Sequence, residues 1–250
     1  MVAESRTVAQ RNGEAVAGLD SSGSIVASHP LASFERAGTA LTPRLRGVSH
    51  QAAFFGSLVA GSMIVAQAAD GLPRVAAAVF AATVIMMFAA SALYHRVPWD
   101  WAAKRWMRRV DHAGIYLLIA GSYTPYGLLV LDGPWRISVL AIVWTGVACG
   151  IALRFAWVDA PPWLTVAITL VLGWFSVIAL PKAFAEIGTT GLGLLLAGGA
   201  LYSLGGLVYA LRRPNPWPAT LGFHEVFHLL VIAAVACQYA AVGLIVLPMS

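Results

Sequence analysis

Five side chains in this chain of 250 residues combine types and spacings that suit metal chemistry. His224 and His228 are four residues apart in an apolar stretch; on a helix they lie one turn above the other and can share a ligand. Ser91 and His95 repeat that spacing in a second stretch, and Asp111 stands at the head of a third. Three imidazoles and a water make a tetrahedral zinc site with one open position, the arrangement of catalytic rather than purely structural zinc. Asp111 could hold that water or orient one of the histidines.

The elements that must carry these residues are membrane helices. Hydrophobic residues are 59% of the chain and charged ones only 11%, with a mean hydropathy of +0.77, which excludes an ordinary soluble core. The formal charge of +5 would suggest nucleic acid in a soluble domain, but the basic residues lie between apolar runs, where they set membrane orientation. No nucleic-acid partner is expected. A helix crosses the hydrocarbon layer with about 20 apolar residues. Seven such runs are readable, near 48–69, 75–95, 110–131, 137–154, 164–180, 187–211 and 223–247. Asp70-Gly71, Asp132-Gly133-Pro134, Pro161-Pro162 and the stretch from Pro214 to Pro218 punctuate them. Pro125 falls inside the third run and predicts a kink there.

The expected fold is therefore all-α, a bundle of seven transmembrane helices. Thirteen of the sixteen Lys and Arg residues fall on one side of it: Arg6, Arg11, Arg36, Arg44, Arg46, Arg96, Lys104, Arg105, Arg108, Arg109, Arg154, Arg212 and Arg213. Arg74, Arg136 and Lys182 take the other. This asymmetry places the N-terminus in the cytoplasm and the C-terminus outside, and puts all five candidate residues at the cytoplasmic ends of their helices. Residues 1–42, without helical or strand period, read as a flexible cytoplasmic tail ahead of a transmembrane domain at 43–250. Glu4, Arg6, Arg11 and Glu14 interrupt any secretory apolar segment. Trp99, Trp101, Trp106, Trp135, Trp157, Trp163 and Trp217 lie near run ends, as an aromatic belt would.

Other residues read more plainly. His29, His50 and His112 are single histidines near run ends, ordinarily interfacial polar residues. Cys149 and Cys237 sit within apolar runs as small buried side chains rather than a disulfide. The cluster from Lys104 to Arg109 is an orientation signal and a contact for anionic lipid. His224-Glu225-Val226-Phe227-His228 also satisfies the H-E-x-x-H pattern of metalloproteases, and Leu131-Asp132-Gly133 supplies a distant acid. Asp132, however, lies roughly 30 Å along a helix from Asp111 and cannot reach the same ion.

Ser91-Ala-Leu-Tyr-His95, Val110-Asp111-His112 with Ile119-Ala-Gly-Ser-Tyr-Thr-Pro125, and His224-Glu-Val-Phe-His228 resemble three blocks of the hemolysin III group, the bacterial branch of the progestin and adiponectin receptor (PAQR) family. Pro43-Arg-Leu-Arg-Gly-Val-Ser-His50 is similar to that group's entry into its first helix, so the likeness spans about residues 43–247. It implies seven helices with a cytoplasmic N-terminus in the bacterial plasma membrane. It also implies zinc on His95, His224 and His228, with Asp111 and Ser91 beside a metal-bound water. Kinship with membrane ceramidases of the alkaline type implies a lipid or lipid amide as partner and hydrolysis as the activity. In that chemistry Asp111 would move the proton and Ser91 would donate to the developing oxyanion. A lipid-sensing, receptor-like protein with structural zinc is the alternative.

Overall fold

The computed structural model describes residues 17–19, 25–27, 43–175, 177 and 180–247. The chain divides into two compact units, Met1–Thr42 and Pro43–Ser250. In the first, β1 (Ala17–Leu19) and β2 (Ile25–Ala27) pair antiparallel with Gly18 opposite Val26. This hairpin was not expected from the sequence. Its three-residue strands are too short to show a period, although β-branched Ile25 and Val26 favour extended backbone. Residues 1–16, 20–24 and 28–42 of the expected flexible tail lie outside the described residues.

The second unit holds seven helices among its described residues: α1 (Val48–Gln67), α2 (Leu72–Arg96), α3 (Trp101–Leu129), α4 (Gly133–Ala156), α5 (Pro162–Trp174), α6 (Leu180–Leu211) and α7 (Phe223–Val246). By length and composition α1, α2, α4, α7 and the Ile187–Leu211 part of α6 are long and apolar enough to cross a membrane. Their outward faces agree with that solvent: Phe55, Val59, Ile137 and Leu211 are all more than half exposed.

α3 misses the apolar criterion because of where it packs. It touches α2, α4, α5 and α7, and its buried face is built from Asp111, Ala113, Gly114, Gly121, Thr124, Pro125 and other small or polar residues. Lipid tails are as apolar as leucine, so helices in a bilayer associate through close van der Waals fit rather than through a hydrophobic drive, and small residues provide it. A methyl group at Gly121 would overlap the Thr83 side chain of α2, and one at Gly150 of α4 would overlap the Tyr116 ring. The main apolar core lies between α1, α2, α3 and α7, around Ile64, Phe80, Met87, Phe88, Leu118 and Val235.

Two expectations about these elements change. α3 starts nine residues earlier than the apolar run, because Asp100 caps it: its carboxylate accepts from Ala103 N at 2.8 Å. The basic cluster from Lys104 to Arg109 is thus helical, and part of it ties α3 to its neighbour. Arg105 and Arg108 reach Asp159 at 3.5 and 3.0 Å, and Arg109 donates to the Phe155 carbonyl at 3.2 Å. α3 carries Pro125 within its helical span, and non-helical backbone interrupts α6 at Gly188 (φ 60°, ψ −169°). Cys149 is exposed on the outside of the bundle rather than buried; both cysteines are free.

Candidate metal centre

α2 ends just beyond His95. Pro98 cannot continue the helix, the Val97 N–H closes on the Leu93 carbonyl at 3.2 Å, and Trp99 Nε1 donates to the same carbonyl at 2.9 Å. Ser91 sits one turn earlier and is buried. α7 begins at Phe223, so His224 occupies its first turn and His228 its second. That start is held by two polar contacts: Gly222 N donates to Glu225 Oε2 at 2.8 Å, and Phe223 N donates to Asn215 Oδ1 at 2.9 Å.

A short strap completes this end of the bundle. Backbone N–H groups of Arg44 and Leu45 donate to the Ala219 and Thr220 carbonyls at 3.0 and 3.2 Å, laying Pro43–Gly47 along the connection into α7. Arg46 Nε then stands 2.6 Å from Glu225 Oε1 as a close ion pair rather than an aligned hydrogen bond. Gly47 has φ 75°, and a Cβ there would stand 2.5 Å from the His95 Cβ. Only glycine meets both the left-handed backbone and that close approach.

These elements bring His95, His224 and His228 together, with one ligand nitrogen from each within 4.8 Å of the others. His95 Nε2 and His224 Nε2 are 3.0 Å apart. A tetrahedral ion with bonds of about 2.0–2.1 Å holds its ligand nitrogens roughly 3.3 Å apart. The three rings are therefore close enough to share a metal ion.

Ser91 and Asp111 line the same cavity as the histidines. Asp111 is not at the head of its helix, as the apolar run implied, but ten residues into α3, roughly 15 Å from the first residue. It is buried beside Ser91. The Ser91 hydroxyl does not bond back to its own helix; it shares a 2.8 Å hydrogen bond with His50 Nδ1.

His50, read as interfacial, is 2% exposed and stacks flat on His228, with ring centroids 3.7 Å apart and planes 9° from parallel. Its place in the block around Pro43 to His50 was the available signal. Arg154, counted as an orientation charge, is also buried, at 1% exposure. Its guanidinium contacts His112 and donates to Thr165 Oγ1 at 3.2 Å and the Val158 carbonyl at 2.9 Å. His112 is therefore a cavity residue as well. A cation in the last turn of an apolar helix could have flagged this wall, since ionisable groups inside a bundle are costly and usually have a partner. Glu225 is buried with both oxygens engaged, by Gly222 and Arg46, so it is a structural acid of the α7 start and not a protease base. Asp132 stands at the N-cap position of α4, beyond the far end of α3 from Asp111.

The cavity has a volume of about 390 Å³, within the range of small-ligand sites. One end carries the histidines, Ser91, Asp111, His112 and Arg154; the rest runs between α3, α5, α6 and α7 past Ile119, Leu170, Leu195, Leu196 and Val231.

Comparison with known proteins agrees with the blocks. The family model described as "Haemolysin-III related" matches residues 39–239. The chain is 32% identical over 174 residues to Hemolysin-3 of Bacillus cereus, covering 70% of this chain and 76% of that one. It is 30% identical over 164 residues to the Hemolysin-3 homolog of Bacillus subtilis (strain 168), covering 66% and 74%. A more distant likeness, 29% over 166 residues, links it to the Adiponectin receptor protein of Drosophila melanogaster, with 56% of this chain and 35% of that one covered. With its helical bundle, its apolar outer faces and its converging histidines, the chain is a multi-pass membrane protein of the hemolysin III group within the PAQR family.

Proposed function

We propose that this protein is a zinc-dependent hydrolase of lipid amides, working from a site inside the bundle near the cytoplasmic face of a bacterial plasma membrane. The observation that carries the reading is the cavity itself: three histidines from two helices meet at one end, and apolar side chains line the rest. An amphiphile fits that division, with its chains among Ile119, Leu170 and Leu195 and its polar bond beside the histidines. In this reading α3 and α5 complete seven spans, and the basic excess sets the N-terminus in the cytoplasm.

His95, His224 and His228 would hold the ion. Zinc is favoured over harder cations because the donors are imidazole nitrogens. Bound there, zinc supplies Lewis acidity, polarising a carbonyl and making water a better nucleophile near neutral pH. Asp111 takes the proton from the attacking water as its oxygen bonds to the carbonyl carbon, then passes it to the departing nitrogen as the C–N bond breaks. Ser91 has a single hydroxyl proton and stands beside Asp111, so it orients that carboxylate more than it serves an oxyanion. The Arg154 and His112 wall supplies donors to the polar part of the substrate.

The test is elemental mass spectrometry on purified protein together with lipid-amide turnover, for wild type and the His224→Ala/His228→Ala double variant. One zinc per chain, lost in the variant along with turnover, is the expected result. Stoichiometric zinc without turnover on a broad panel of lipid amides supports the receptor-like alternative, to which the likeness to an adiponectin receptor protein points. Absence of metal overturns the site.

A further inference from the structure

His50 has no part in the chemistry proposed above, yet two directional contacts hold it in the wall of the site. Its ring lies flat on His228, at 3.7 Å between centroids, and also approaches the His228 backbone. Its Nδ1 shares the 2.8 Å hydrogen bond with Ser91 Oγ. Phe88 also packs against the ring, edge-to-face at 5.1 Å.

A histidine that offers one nitrogen to a metal is ordinarily held by a hydrogen bond at the other. His228 Nδ1 is buried and has no hydrogen-bond partner among the described residues. The His95 and His224 rings meet it steeply, at 60° and 64°, and so do not define its plane. The flat face of His50 is the contact that does. At the other edge, an Nδ1–H donated to Ser91 Oγ leaves the hydroxyl proton to point at Asp111.

We infer that His50 is a positioning residue of the metal centre: its face sets the ring plane of His228, and its Nδ1 sets the direction of the Ser91 hydroxyl. This rests on the reading of the three histidines as metal ligands and adds a fourth histidine that acts through a ligand rather than as one.

Two substitutions separate the two contacts. His50→Phe keeps the aromatic face and removes the hydrogen bond; His50→Asn keeps a polar atom near the Nδ1 position and removes the face. Full-length wild type and both variants, in lipid nanodiscs, are loaded with Co²⁺, and visible absorption and competition against a chelator are recorded. Wild type and His50→Phe should share one spectrum and agree in affinity within about threefold, whereas His50→Asn should change the band shape and loosen Co²⁺ by roughly 10–100-fold. Co²⁺ held by His50→Asn as by wild type would overturn the inference. So would equal loss in both variants, which would make His50 a ligand or a mere filler. Wild type that takes up no Co²⁺ would overturn the metal reading and this inference with it, a result distinct from either. If His50→Asn does not elute as a folded species, His50→Leu, which fills the space without a flat ring, replaces it with the same expectation.

Discussion

The two walls of the cavity are built on different principles. The wall from α2 and α7 carries residues at one-turn spacing, Ser91 with His95 and His224 with His228, with His95 and His224 in terminal turns. The wall from α3, α4 and α5 is a set of single residues, Asp111, His112, Arg154 and Thr165, drawn from three helices with no repeat between them. The first announces itself in the sequence because one-turn spacing has a chemical meaning. Of the second only Asp111 does, because the other partners lie far apart in the chain: Arg154 and His112 are 42 residues apart. In the proposed function metal binding falls to the first wall and substrate handling to the second, so substitutions on each should fail in different ways.

The largest effect expected is from His95→Ala, which removes one of three nitrogens: metal affinity should fall by at least 100-fold in chelator competition, with the fold retained by circular dichroism. Arg154→Met should break the comparison from the other side. Metal stoichiometry should stay near wild type while lipid-amide turnover drops at least tenfold. Leaving the buried Val158 carbonyl and His112 without their donor should also lower stability by about 1–3 kcal/mol, read from thermal unfolding in detergent. Equal loss of metal in Arg154→Met would show that the two walls are one unit.

A smaller effect tests how the strap supports the first wall. Arg46→Met leaves the Glu225 carboxylate buried without its cation; since Arg46 is itself about a quarter exposed, the penalty should be about 1–3 kcal/mol rather than the 3–5 of a fully buried pair. Adding Glu225→Gln to Arg46→Met should recover most of it, because the amide oxygen can still accept from Gly222 N. The smallest effect belongs to Asp100→Ala. Loss of the α3 cap should cost about 1 kcal/mol and leave metal binding untouched, because the cap lies eleven residues before Asp111.

Much of the architecture was legible as hydropathy. The helical segments sit where the apolar runs predicted, since backbone in lipid must satisfy its own hydrogen bonds and only long runs allow that. The misreadings have local causes. The first turns of α3 were hidden because Lys104, Arg105, Arg108 and Arg109 interrupt apolarity, yet a capped helix extends into the interface without needing it. The fifth run overestimated its α-helix: α5 stops at Trp174, and Phe175 and Val177 are in 3₁₀ conformation.

By itself the sequence determined the class of fold and picked out the three histidines that the bundle brings together, because composition selects the solvent and a four-residue repeat on a helix selects a face. Only the tertiary structure decided what surrounds them. His50 on His228, Arg46 on Glu225 and Arg154 on His112 are pairings across 178, 179 and 42 residues of chain. Such pairings depend on which helices touch and in what rotation, a property of the packed bundle that no local pattern encodes.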